Sequence, residues 1–288
     1  MEIFLSSLVG GLAFGCIYGL IGVSFNAIYN VCHLVNFAQG HFAMLAILSW
    51  FYMTHVFKMP LPIALVASII FVPVLFGISI QYLVAEPLVR AKRPIVSLVI
   101  ATLGAGLCSE GIGGILTGFR NLFIYSPLGY ETVKLGGIYV FWNYILIFGC
   151  TALLCFVYWL FLEKTKLGLQ LRAAGIDDEM AALEGVNLVK IRSLAWIISA
   201  TICAIAGWLV APFIQATVLV GLSLVINGFV AAAIGGFASS FGPLLGGILM
   251  GLIVSFSYSY IQPGLGELIM FMGLIGILIF RPHGLVAR

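Results

Sequence analysis

The chain has 288 residues, 62% hydrophobic and 8% charged, with a formal net charge of +3. A soluble domain is about a quarter charged, so a water-covered globule is excluded. A mean hydropathy of +1.20 belongs to a chain that crosses a bilayer many times.

Apolar segments fall at 3–29, 37–57, 61–84, 95–118, 138–162, 194–214, 223–241, 243–261 and 265–280. About 20 apolar residues cross the hydrocarbon core, so the expected fold is an all-α polytopic membrane protein. It has about eight or nine transmembrane segments in a single domain over 1–288. Glu2 is the only charge before the first segment and no basic stretch precedes it, so no cleavable signal peptide is expected. Gly11, Gly15 and Gly19 recur every four residues there, which puts small residues on one helix face and lets a neighbouring backbone approach. The pairs Gly114–Gly118, Gly242–Gly246 and Gly247–Gly251 share that spacing. Asn26 and Asn30 read as interfacial caps at the end of the first segment.

The second segment opens with "VNFAQGHFAMLA" (35–46), where Asn36, Gln39 and His41 cluster. Amides of this kind bridge unwound backbone or line a wet path; a histidine here is also read as a satisfied structural group. The fourth segment carries Glu110 in its middle. An intramembrane carboxylate is costly and marks a functional candidate; the alternative is a protonated or hydrogen-bonded packing residue. "VINGFVAAAIGG" (225–236) contributes Asn227 and resembles the 35–46 stretch, a polar glycine-containing turn before a small-residue helix. The pairing of the two is what an inverted repeat predicts. The end of the 223–241 segment reads as a broken or re-entrant helix. Asn36, Gln39, His41, Glu110 and Asn227 are therefore the candidate translocation-path residues. The six cysteines lie in apolar segments without paired spacing and read as small buried hydrophobes.

Basic residues fall in three loops: Arg90, Lys92 and Arg93; Lys164, Lys166, Arg172, Lys190 and Arg192; Arg281 and Arg288. Lys58, Arg120 and Lys134 are the other three. The positive-inside rule then places the N-terminus outside and the C-terminus in the cytoplasm.

Between the fifth and sixth segments, "GLQLRAAGIDDEMAALEGVN" (168–187) holds five charged residues in a chain nearly free of them. Residues 177–187 predict a short helix, capped by Asp177 or Asp178, with Glu179 at the positive end of its dipole. Ile176, Met180 and Leu183 form an apolar stripe at helical spacing. Ala181, Ala182 and Gly185 form an almost side-chain-free face on the other side, suited to a groove on another protein. The bland alternative is a solvated connector.

Enzymatic motifs are missing. No Gly-Lys pair exists, so the G-x-x-x-x-G-K-[ST] phosphate loop is excluded. The four histidines make no H-E-x-x-H, and "ASSFG" (238–242) lacks the first glycine of a serine elbow. A catalytic role is disfavoured, and no metal or cofactor is expected in this chain.

The stretch E179-M-A-A-L-E-G185 resembles the EAA–Gly coupling loop of ABC importer permeases. "GLIGVSFNAIYNVCHLVNFAQGHFAMLA" (19–46), "KLGLQLRAAGIDDEMAALEGVN" (166–187), "AIAGWL" (204–209), "FVAAAIGGFASSFGPLLGGILMG" (229–251) and "IFRPHGLV" (279–286) are similar to the LivH-type permeases of branched-chain amino acid ABC importers. The resemblance runs over nearly the whole chain. It implies a non-catalytic subunit in a bacterial cytoplasmic membrane, paired with a LivM-type permease homologue. It also implies two cytoplasmic ATPases that bind ATP and magnesium, and a periplasmic or lipid-anchored solute-binding protein. Residues 163–193 would be the coupling loop, with Asp178, Glu179, Ala181, Ala182 and Gly185 facing an ATPase. No nucleic-acid partner is implied; lipids surround the spans. His41 stands where an acidic residue is common after N-F-A-x-G, and Glu110 is not expected in the family, so urea, short amides or aromatic acids stay open beside branched-chain amino acids. A secondary transporter or channel is the further alternative. It is disfavoured by the coupling-like loop and by the lack of a buried acid–base relay beyond Glu110.

Overall fold

A computed structural model describes residues 2–124, 126, 129, 131–135, 138–262, 265–281 and 284–286. His283 and Arg288 of the closing sequence lie outside the described residues. Among the described residues, six helices are long and apolar enough to cross a membrane: α1 (Glu2–Cys32), α3 (Leu61–Arg90), α4 (Ile95–Thr117), α5 (Trp142–Lys164), α8 (Leu188–Val210, extended by a short 3₁₀ turn to Phe213) and α10 (Gly242–Tyr260). Three shorter ones complete the nine expected segments: α2 (Gln39–His55), α9 (Val220–Gly235) and α11 (Gly266–Phe280). Two small helices, α6 (Lys166–Ile176) and α7 (Asp178–Leu183), lie between α5 and α8. The apolar runs dictate the helices, because a span cannot leave backbone N–H and C=O groups unpaired in hydrocarbon.

The expected helix from residue 138 begins four residues later. Residues 138–141 form β2 (Ile138–Phe141), antiparallel to β1 (Thr132–Leu135), with Val133 opposite Val140. Both strands are rich in β-branched and aromatic residues, which suit an extended chain once the run is short.

The glycine stripe of α1 does what its period predicts. A Cβ on Gly15 would stand 2.7 Å from the Cα of Ile248 and 2.9 Å from the Gly247 carbonyl, and Gly251 meets the backbone of Gly11 and Gly15. The two helices therefore pack backbone to backbone and run antiparallel. On its other face α10 presents Gly242 and Gly246 to Gly235 and Ala231 of α9. The fourth-segment pair behaves differently. Gly118 is a left-handed C-cap at φ +61° with nothing near its Cβ position, while Gly114 lies under the Phe119 ring. That pair ends a helix instead of packing one.

The packing repeats. α1 packs on α8, α9 and α10, and α8 packs on α1, α2 and α3. α9 touches α10 and α11 as α2 touches α3 and α4. The directions are opposed: Phe14 stacks edge-on to Phe213 while Ser24 meets Ser199, so α1 and α8 run antiparallel. Residues α1–α4 and α8–α11 are thus two inverted halves, with α5 to α7 inserted between them. The sequence stretches that mark the repeat need correction, however. Residues 225–235 lie inside α9, so Asn227 and Gly228 are helical and not a turn. The element matching the start of α2 is the start of α9, where Gly40 packs on the backbone of Gly221 and Val225. An Asn-Gly pair is a turn signal only where no neighbour holds it helical, and here α1 covers Gly228 through Ile21 and Phe25.

The break falls at the other end of α9. Gly236 takes φ +99°, and the carbonyls released there are claimed by three donors. Asn26, fully buried, donates to the Gly236 and Ser239 carbonyls; Leu285 N–H donates to Ile234 O at 2.9 Å, and Val286 N–H to Gly235 O at 3.2 Å. Asn26 is therefore no interfacial cap of its own helix but a cap for α9, and the C-terminal Gly284–Val286 segment serves the same end. Among the cysteines, Cys16 and Cys203 are buried as expected, Cys32, Cys150 and Cys155 are half-buried, and Cys108 is exposed on the outer side of α4.

Candidate functional site

Two regions carry the polar chemistry of the chain. The first surrounds the start of α2. The five residues before it, 34–38, are not helical, and their polar groups are held by the bundle. Asn36 Oδ1 accepts from Ala38 N–H at 3.0 Å, and its amide donates to Gln39 Oε1 at 2.9 Å. Gln39 in turn donates to the Ser199 hydroxyl, which donates to the Ser24 carbonyl at 2.8 Å. Phe37 N–H reaches Thr102 Oγ1 at 3.3 Å. Asn36 and Gln39 are 1% and 0% exposed. The network ties the start of α2 to α1, α4 and α8 and satisfies groups that hydrocarbon would leave unpaired.

One turn further on, His41 lies between Gly106 of α4 and Gly221 of α9, each too close to carry a side chain. Its Nε2 is 3.4 Å from Glu110 Oε2. The pair is asymmetric: the His41 side chain is 3% exposed and the Glu110 side chain 18%. Glu110 opens toward the uncovered face of α4, so its carboxylate is within reach of whatever occupies that face. The structure thus brings Asn36 to Gln39 and His41 to Glu110. It does not bring Asn227 to any of them. Asn227 lines a separate cavity of about 850 Å³ between α1, α9, α10 and α11, together with Tyr18, Ser255, Glu2 and Glu267. Both carboxylates stand on that cavity.

The second region is the charged insert. Asp177 caps α7, its Oδ1 accepting from Glu179 N–H at 2.9 Å and Met180 N–H at 3.0 Å. Glu184 and Gly185 end the helix, Gly185 at φ +82° with open space around it. The expected small face is divided, and the apolar stripe is exposed. Ala181 is 5% exposed and turns into the chain's own core, while Ile176, Met180 and Leu183 are 86%, 63% and 82% exposed. Ala182 and Gly185 remain outside. A helix this short shows two candidate faces to any reader of the sequence. Packing decides: α6 is laid across the C-terminal end of α1, with Gly175 against the Asn30 carbonyl, and this fixes which side of α7 faces the bundle.

Sequence reasoning missed what anchors α7. Asp178 Oδ2 accepts from Arg192 Nη2 at 2.6 Å, and Arg192 Nη1 stands 3.8 Å from Glu86 Oε2 at the end of α3. Glu86 also accepts from Arg90 at 3.0 Å. By sequence Arg192 is one basic residue among five in its loop, and Glu86 carries no motif. The available signal was a lone acid at the end of an apolar run, beside Pro87. Among the described residues no cluster of three or more histidine, cysteine or acidic side chains could hold a metal.

Comparison with known proteins gives concordant results. The family model for the branched-chain amino acid transport system permease component matches residues 7–280. The high-affinity branched-chain amino acid transport system permease protein BraD of Pseudomonas aeruginosa is 29% identical, over 99% of this chain and 96% of that protein. The probable branched-chain amino acid transport permease protein LivH of Methanocaldococcus jannaschii is 26% identical, over 96% and 91%. The high-affinity LivH permease of Escherichia coli is 25% identical, over 99% and 96%.

Proposed function

The chain belongs to the family of permease components of branched-chain amino acid transport systems, and from that premise we propose that it is the membrane-spanning half of an ATP-driven importer whose α7 docks on a cytoplasmic ATPase. One observation carries the reading. A membrane body without a phosphate-binding loop, nine apolar helices among the described residues, holds an anchored helix outside it, and that helix offers Met180 and Leu183 to a partner, with Ile176 exposed beside them at the end of α6. Exposed apolar side chains on a charged helix are costly in water and are covered in a complex. The solute is a branched-chain or related amino acid, as the names of the relatives suggest. The remaining subunits are a LivM-type second permease, two ATPases that bind ATP and magnesium, and a solute-binding protein outside.

The path follows the opening of Glu110. His41 and Glu110 touch the solute or its water, because theirs is the one pair of the predicted set that reaches an uncovered face. Asn36 and Gln39 hold the start of α2 behind them. Asn227 belongs to the cavity near the outer end of the bundle. Replacement of Glu110 by glutamine is expected to change the rate of uptake or its pH profile at normal protein levels, measured as radiolabelled solute uptake between pH 5.5 and 8.5. An unchanged profile would leave Glu110 as a packing partner of His41.

The orientation follows from the basic loops. Single cysteines at Lys58 and Lys92, both at positive φ in short connections at opposite ends of α3, are expected to differ in a cysteine-free background. An impermeant thiol reagent added to intact cells labels the first and not the second. Equal labelling would contradict the arrangement.

A further inference from the structure

The α7 helix touches the rest of the chain through few side chains, and one of them stands apart. Arg192, in the second turn of α8, is almost buried, its side chain 12% exposed, yet it carries a permanent charge. It reaches Asp178 of α7 on one side at 2.6 Å and Glu86 of α3 on the other at 3.8 Å. Glu86 is 4% exposed and is itself shared with Arg90. Beside it Ser193 donates to Gln81 Oε1 at 2.9 Å, and Gln81 donates to Glu86 at 3.4 Å. Two adjacent residues of α8 therefore grip α3 at residues 81 and 86. Those residues bracket the π-helical segment Gln81–Ala85, the second of two in α3 after Val72–Gly77. π-helical turns are uncommon, weakly held and frequent at functional positions.

We propose that Arg192 is the positioning residue that makes α3 move with α7, so that the state of the ATPase is passed to the membrane path through the π-helical segment Gln81–Ala85. A buried charge cannot be left without a partner. When α7 shifts, Arg192 follows Asp178 or falls back on Glu86, and either response moves the segment that Glu86 and Gln81 hold. The cluster holds unused hydrogen-bonding capacity for a second arrangement: Arg192 Nε and Asp178 Oδ1 are buried with no hydrogen-bond partner. Leu61–Phe71 and Val72–Gly77 of α3 pack on α2, and the Gln81–Ala85 segment itself packs on α4, so α3 touches both helices that carry His41 and Glu110. Charge balance within the cluster, two acids against two arginines, keeps it stable in either pairing.

This inference rests on the reading of α7 as the ATPase contact, and the test separates the two. Arg192→Gln and Glu86→Gln are made in the assembled importer in nanodiscs. Co-purified ATPase, basal hydrolysis, solute-stimulated hydrolysis and uptake are measured together. Both variants are expected to keep their ATPases and a basal rate within about twofold, while stimulation and uptake fall by about tenfold, inside the range of allosteric couplings on the order of 5- to 150-fold. The double variant is expected to lose no more than either single one, since both cut the same link. Spin labels at Leu83 and Glu179, both exposed, report the distance between α3 and α7. In the unmodified protein that distance stays constant when ATP is added; in Arg192→Gln it changes, because α7 moves alone. Normal stimulation in either variant overturns the proposal, as does additive loss in the double variant. If Arg192→Gln fails to assemble, Glu86→Gln decides alone, since it leaves the 2.6 Å Asp178–Arg192 pair intact. Failure of α7 to bind an ATPase at all would show instead as normal transport after substitutions at Met180 and Leu183.

Discussion

Replacing Met180 and Leu183 with glutamate is expected to strip the ATPases from the complex and abolish uptake, with the chain still folded and still in the membrane. Both side chains point away from the bundle and support no packing within it, so their loss leaves the permease itself intact. Their burial in an interface is another matter. An apolar anchor at the centre of an interface costs at least about 2 kcal/mol when removed, and each 1.4 kcal/mol is tenfold in affinity. Two such changes lower attachment by on the order of a hundredfold or more, beyond recovery at ordinary protein concentrations. The measurement is the amount of ATPase that co-purifies with the permease, read beside thermal melting of the permease. Lys58→Gln, in the connection at the opposite end of α3, is the control that keeps attachment. Retained ATPase in the double variant would make α7 a plain solvated connector.

The second large effect concerns folding. Gly15→Val is expected to remove most of the folded protein. Its Cβ would stand 2.7 Å from the Ile248 Cα and 2.9 Å from the Gly247 carbonyl, and neither backbone atom can step aside without parting α1 from α10. Overpacking a close contact costs about 1–3 kcal/mol when side chains can yield, and here the contact is between backbones. The same seam continues at Gly11 and Gly251, so a local opening spreads along both helices. Folded yield in detergent, by size-exclusion chromatography and thermal melting, measures it. Gly149→Val on α5, with nothing within 4 Å of its Cβ position, is expected to melt as the unmodified chain does. Equal behaviour of the two variants would contradict the seam.

These outcomes show where the sequence speaks. The nine segments are legible because solvent in the bilayer core is uniform: an apolar run has one stable form there. The α1 stripe is legible because a period of four in glycine has one use on a long helix. The cap of α7 follows from a local rule, an aspartate accepting from the next two amides. The inverted halves were legible as an idea, but the residues that mark them were not, since the match lies in packing and not in a shared turn. Asn26, Leu285 and Val286 meet at the end of α9 from positions more than two hundred residues apart, and no spacing announces that. The same holds for Glu86, Asp178 and Arg192, which come from three helices and form one cluster. The inward turn of Ala181 depends on how α6 lies on α1, which a stripe of alanines cannot encode. Of the expected path, the His41–Glu110 contact was foreshadowed by two ionisable residues in apolar runs, while Asn227 shared their polarity and not their place.

The most direct test of the account is solute uptake by sealed proteoliposomes that hold the permease, its permease partner, the two ATPases and the binding protein. With ATP and magnesium on the ATPase side, the solute is expected to accumulate inside against its gradient. Without ATP, or with the Met180→Glu/Leu183→Glu permease, it does not. Accumulation driven by an ion gradient alone, with no ATPase present, would contradict the account and make the chain a secondary transporter.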